Sequence, residues 1–137
     1  MSTIKFFYHT GFFLSNEELI SAWLLSVLNG EEAEALSLDY SFVDKKEMIK
    51  INKNHLNHNY LTDVLAFDYS KDNKIQGDVF VSEEMVRTNA EEYNQEFSKE
   101  LMRVMVHALL HLCGHKDKTP DEQKNIRALE DKYLALL

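Results

Sequence analysis

The chain has 137 residues, 45% of them hydrophobic, with 23 acidic against 15 basic side chains and a formal net charge of −8. That length and apolar content fit a single domain spanning residues 1–137 with its own core, and no apolar run approaches the roughly 20 residues of a membrane span. The acidic balance argues against nonspecific affinity for polyanions, because long-range repulsion slows encounter, but it leaves room for a local basic patch.

One cysteine excludes an internal disulfide and suits a reducing cytosol. The N-terminus lacks a signal-peptide layout, so a cytoplasmic protein with no membrane association is expected. A single Pro, four Gly and no repeat or low-complexity tract leave no linker in view.

Taken in order, Thr3 to Tyr8 (TIKFFY) is β-branched and aromatic and predicts a first strand, with His9 as a turn or surface residue. Ser15 and Glu18 form a capping-box pattern ahead of Leu19, Ile20, Trp23, Leu24, Val27 and Leu28, whose spacing predicts an amphipathic helix ending near Asn29 and Gly30. Alternation through Leu36, Leu38, Tyr40 and Phe42 predicts a second strand with these side chains inward. Asp44 and Glu47 open a second helix. On it Met48, Ile51 and His55 share one face, and Lys46, Lys50 and Lys53 form a basic stripe on another. That stripe is either a solvated face or an RNA-backbone contact.

Thr62 to Tyr69 and Ile75 to Ser82 predict two strands joined by a polar turn short enough for a hairpin. Asp63 and Asp78 sit inside these apolar runs and require partners if buried. Beside Gly77, Asp78 reads as a structural anchor, whereas Asp63 fits either an anchor or a cleft residue. Ser82 caps a third helix through Met85, Val86 and Ala90, and Thr119-Pro120-Asp121-Glu122 opens the last one with an N-cap, proline at N1 and a capping-box Glu. Ile126, Leu129, Tyr133, Leu134 and Leu137 give that helix its packing face.

Between them lies Glu100 to Asp117, ELMRVMVHALLHLCGHKD, apolar nearly all round, as expected of a central buried helix. His107 and His111 are four apart, so a helix sets them on one face a turn apart and lets both imidazoles close on one ion. A straight helix cannot add the third ligand. His115 would stand roughly 12 Å along the axis from His107, against metal bonds of about 2.0–2.2 Å. Gly114 ends a helix cheaply and lets either His115 or Asp117 return to the ion. Spacing favours Asp117, because His107, His111 and Asp117 reproduce the HExxHxxGxxH pattern with Asp for the last His and Gly114 at the matching turn.

The position that carries the general-base Glu of HExxH enzymes is Ala108, so a peptidase mechanism loses its base. Three protein ligands leave a coordination position open, as catalysis requires, whereas a fourth from His115 or Cys113 would make the ion structural. If the helix continues that far, Cys113 lies about 240° around it from His107 and faces away, reading as a small buried side chain. Glu100 and Arg103 share a ridge with His107. Either could brace a ligand imidazole, Arg103 could meet a phosphate, or the two could pair with each other.

HALLHLCGHKD resembles the HGxLHLxGxDH signature of the YbeY family, with Ala108 at the second position and Asp117 at the last. Upstream, LTDVLAFDY (Leu61 to Tyr69) resembles that family's PTDVLSF strand, and IQGDVFVS (Ile75 to Ser82) its LGDIxIS strand. The resemblance implies a zinc-dependent, single-strand-specific endoribonuclease. Such an enzyme acts in ribosomal RNA maturation, notably at the 3′ end of small-subunit rRNA, and in ribosome quality control, with ribosomal RNA and the small subunit as partners. Its ligands would be His107, His111 and Asp117.

Two departures stand out. The family's third ligand is usually His, and a carboxylate reduces the Lewis acidity of the ion and suits a harder metal. Zinc remains the first expectation, one ion per chain, with nickel or manganese next. The family also commonly places an Arg six residues before the Thr of the TDVLSF strand. Leu56 stands there, and His58 is a candidate substitute phosphate contact.

The element order βαβαββααα predicts an α+β domain, a four-stranded mixed sheet packed with helices and a metal site on a central buried helix. A metal-dependent endoribonuclease is the leading expectation. The alternatives are a zinc hydrolase of a peptide or small ester, disfavoured by Ala108, and a ribosome-binding protein whose metal is structural.

Overall fold

The computed structural model describes residues 3–56 and 62–137. The strands are β1 (Ile4–Tyr8), β2 (Glu34–Phe42), β3 (Val64–Asp68) and β4 (Lys74–Val81), and the helices are α1 (Glu17–Gly30), α2 (Lys45–Leu56), α3 (Glu83–Glu92), α4 (Phe97–Leu112) and α5 (Pro120–Leu134). They form one α+β domain around a four-stranded sheet of order β1-β2-β4-β3. β1, β2 and β4 run parallel, as their helical crossovers allow, while the polar turn makes β3 and β4 an antiparallel hairpin.

The period-two pleat assigns each strand residue to a face. Leu38, Tyr40, Phe42, Ile75, Val79 and Val81 point to the main core, where Trp23, Leu24, Val27 and Leu28 of α1 and nearly the whole of α4 cover them. Leu65, Phe67 and Phe80 point the other way and meet Val43 with Met48 and Ile51 of α2. Eight side chains of α4 are buried, from Leu101 to Leu112, so it is the central element its apolar sequence predicts. The Tyr40 hydroxyl donates to the Met105 carbonyl at 2.8 Å, which satisfies a fully buried phenol and ties α4 to β2.

Two local expectations are corrected. α1 begins one residue late, because the Asn16 side chain rather than Ser15 accepts from the Leu19 amide at 3.2 Å; Asn caps as well as Ser. Leu36 is 49% exposed, because a bulge between Ala35 and Ser37 inserts it as an extra residue and breaks the alternation predicted for β2. At Gly77 a Cβ would stand 2.8 Å from the Phe67 carbonyl oxygen and 3.0 Å from Leu112, so glycine there lets the C-terminal end of α4 rest directly on the sheet.

Candidate metal centre

α4 carries His107 and His111 to the rim of a cleft of about 550 Å³ between the helix, β3 and α5. Their Nε2 atoms are 3.0 Å apart. The chain leaves α4 through a Schellman turn: the Gly114 amide bonds the His111 carbonyl and the His115 amide bonds the Leu110 carbonyl, each at 3.0 Å, with Gly114 at φ +101°. Three residues on, Asp117 Oδ2 lies 3.2 Å from His111 Nε2 and 3.5 Å from His107 Nε2. Gln123 of α5 donates to the Asp117 carbonyl at 3.0 Å, and Thr119 and Glu122 complete the predicted capping box just beyond. The loop that presents Asp117 is therefore fixed at both ends.

The three donors fit a cation. A tetrahedral ion with bonds of about 2.0–2.1 Å has ligand atoms about 3.3 Å apart, and the separations here are 3.0, 3.2 and 3.5 Å. His107 Nδ1 lies 2.5 Å from Glu130 Oε2. An imidazole whose proton is held at Nδ1 presents a lone pair at Nε2, the atom facing His111 and Asp117. Among the described residues these three are the cluster able to hold a metal. His115 turns away to Glu31, with Nε2 2.5 Å from Oε1, and Tyr133 donates to the other oxygen of the same carboxylate. Cys113 caps α4 outside the cluster. Neither residue offered as a closing fourth ligand reaches the cluster.

Glu130 is the residue that sequence reasoning missed. Only 3% exposed, it also accepts from Arg103 Nη1 at 2.9 Å, and Arg103 Nη2 donates to Asp131 at 2.7 Å. Burial works to raise the Glu130 carboxyl, but the hydrogen bonds from His107 and Arg103 outweigh it and hold the group below the usual carboxylate range. Burial likewise works against charge on His107, yet Glu130, Asp117 and Asp63 together raise its proton affinity. A signal was present: Glu130 falls four after Ile126 and three before Tyr133, on the stripe that packs α5. Glu100 lines the cleft but braces neither imidazole, and Arg103 pairs with α5 instead of Glu100.

The other expected contacts are dispersed. Asp63 lines the metal cleft, 3.3 Å from Asn89 Nδ2, with its carboxyl raised by burial, so it is both anchor and cleft wall. Asp78 faces the opposite side of the sheet, beside Asp39 of β2. Lys46, Lys50 and Lys53 line a second groove with His9 and Phe80, across the sheet from the metal donors. His58 lies outside the described residues. Ala108 is 1% exposed and supplies no base at the position after His107.

The family model described as Endoribonuclease YbeY matches residues 13–137. A Flavobacterium johnsoniae protein named Endoribonuclease YbeY is 43% identical over 133 residues, covering 97% of this chain and 96% of the relative. A Karelsulcia muelleri protein of the same name is 40% identical over 134 residues, covering 98% and 95%. Among solved structures, a Thermotoga maritima protein determined in solution superposes with a TM-score of 0.72 at 26% identity, covering 96% of this chain and 86% of that one.

Proposed function

Because the chain belongs to the YbeY family of endoribonucleases, we propose that it is a metal-dependent endoribonuclease that cleaves single-stranded RNA in ribosomal RNA maturation. The single observation that carries this reading is the convergence of His107, His111 and Asp117 at the mouth of an open cleft, with ligand-atom separations that suit one ion and an imidazole oriented from behind by Glu130. A divalent ion held there would supply Lewis acidity toward a phosphoryl oxygen and toward water.

The protein's own residues do the rest. Glu130 holds a proton at His107 Nδ1, Arg103 holds Glu130, and Asp117 brings a carboxylate to the third corner. Ala108 leaves hydrolysis of a peptide without the base that HExxH enzymes use. The side chains of the three donors are between 27% and 41% exposed, so the site is open to substrate, which favours catalysis over a structural metal.

Zinc is the first metal, one per chain, with nickel or manganese next because the third ligand is a carboxylate. The substrate is small-subunit rRNA near its 3′ end, presented on the ribosomal small subunit in the cytoplasm, and residues 1–137 act as one domain. No helix among the described residues is long and apolar enough to cross a membrane.

The test is cleavage of a labelled single-stranded RNA by zinc-reconstituted protein, beside His111→Ala prepared identically. Activity lost in the variant and on chelation is expected. Equal cleavage by both proteins would refute the site, and cleavage by neither, on free RNA or on small-subunit particles, would refute the reaction.

A further inference from the structure

The wall of the metal cleft is more acidic than basic. Asp63, Glu100, Asp117 and Glu130 line it, against Arg103 and Arg127. A polyanion entering such a cleft needs a cation not already committed to a carboxylate, since each bare carboxylate near a phosphate costs what an opposite charge would return.

Arg103 does not meet that need. Its side chain is 14% exposed and two of its nitrogens are bonded to Glu130 and Asp131, at 2.9 and 2.7 Å. Withdrawing it would leave Glu130, a buried carboxylate, without half of its partners. Arg127 faces the same carboxylates, Glu130 and Asp131, but is far less tightly held. Its side chain is 65% exposed, and its ion-pair contact is Nη1 at 4.0 Å from Glu130 Oε1, an oxygen that Arg103 already occupies. On α5 it stands three residues before Glu130, so the helix places it on the ridge that faces His107. Among the described residues it is the cation that lines the cleft with no hydrogen bond to a carboxylate, its one ion pair standing at 4.0 Å.

We infer that Arg127 is the residue that binds a backbone phosphate of the RNA at the metal cleft. The inference rests on the endoribonuclease reading and adds to it the contact that fixes the strand beside the ion. A guanidinium offers two parallel N–H donors to phosphate oxygens, so it fixes orientation as well as supplying charge. Nothing about base identity follows from such a contact.

The test compares wild type, Arg127→Gln, Arg127→Lys and the exposed control Lys124→Gln, all zinc-reconstituted, in cleavage of labelled single-stranded RNA at several salt concentrations. Arg127→Gln should raise KM about fivefold to tenfold and change kcat less than twofold. Loss of one phosphate contact should also flatten the dependence of log KM on log salt by about 0.7. Arg127→Lys should recover part of the affinity and the full salt slope, because charge returns without the fork. Zinc content and melting temperature should not move. Lys124→Gln should match wild type.

Wild-type cleavage with an Arg127→Gln KM and salt slope unchanged overturns this inference and leaves the endoribonuclease reading standing. Failure of the wild type to cleave overturns that reading, and the inference with it.

Discussion

Replacing Glu130 by Gln keeps the side-chain volume and removes one charge, which makes it a sharp probe of how the metal centre is held. The carboxylate accepts from His107 Nδ1 at 2.5 Å and from Arg103 Nη1 at 2.9 Å in a setting that is 3% exposed. An amide has one acceptor and one donor end. If its oxygen faces His107, its NH2 opposes the Arg103 donor. If it turns over, its NH2 faces His107 Nδ1, the ring proton moves to Nε2, and the lone pair needed by the ion is lost. Either arrangement breaks one side of the network.

Outer partners of ligand imidazoles are worth about 10–100-fold in metal affinity, and a charge-assisted hydrogen bond is worth about 1.5–3 kcal/mol. Glu130→Gln should therefore weaken zinc binding about 10–100-fold in competition with a chromogenic chelator and lower the stability of the metal-free fold by about 1–3 kcal/mol.

The pH dependence has a definite sign. In the metal-free protein Glu130 titrates below its ordinary 4.5, so its contribution is present above that value and is lost as pH falls through the lowered one. His107 titrates above its ordinary 6.5, so its contribution is present below 6.5 and is lost as pH rises through the raised value. Denaturant unfolding in chelator should then show the largest difference between wild type and variant between 4.5 and 6.5, shrinking on both sides. A folded Glu130→Gln protein that binds zinc within twofold of wild type would refute the argument, as would a stability difference flat across that range.

Glu31→Gln tests the second tether on the ligand loop. The Glu31 carboxylate joins His115 to Tyr133 and is held below the usual range by those two hydrogen bonds against the opposing effect of burial. The variant should bind zinc about threefold to tenfold more weakly and unfold about 1–2 kcal/mol more easily; unchanged values for both would show that the Schellman turn alone holds the loop. For Cys113, burial and the nearby charges of Glu31 and Asp68 push the thiol up to about 12. Iodoacetamide at pH 8 should accordingly modify the folded protein about a hundredfold more slowly than the urea-unfolded chain, allowing for the greater nucleophilicity of a basic thiolate. Rates within threefold of each other would contradict that environment.

The residues that announced themselves in the sequence did so through local rules. Two His at i, i+4, a glycine that stops the helix and a carboxylate three residues later are short-range chemistry, and the backbone geometry of a helix end leaves little freedom in where they go. Alternation and capping fixed the element order in the same way, and the errors at Ser15 and Leu36 are one-residue choices between equivalent caps or across a bulge. What stayed hidden depends on distant packing. Glu130 meets His107 because α5 crosses α4, and Glu31 meets His115 and Tyr133 across 84 and 102 residues of chain. The lysine stripe of α2 was correctly periodic. Only the pleat of β3 and β4, which sends Phe67 and Phe80 to one face and Val64 and Val79 to the other, decides that it lies across the sheet from the metal donors.

The division of labour among the three donors would let a carboxylate serve where a third imidazole would be more familiar. His107 and His111 are set by a buried helix that cannot shift without disturbing the core, since Leu109 and Leu110 between them are fully buried. Asp117 comes from a loop whose geometry is set by backbone hydrogen bonds at Gly114 and His115 on one side and by Gln123 and the Thr119 cap on the other. Its backbone is therefore held by the protein's own hydrogen bonds. Binding a metal neutralises a negative corner that already exists, and the net charge left at the site is smaller than three neutral imidazoles would leave. A smaller positive charge draws RNA less strongly in a protein whose formal charge is −8. A loosely held cation at the cleft wall then matters more, and Arg127 is placed to be that cation.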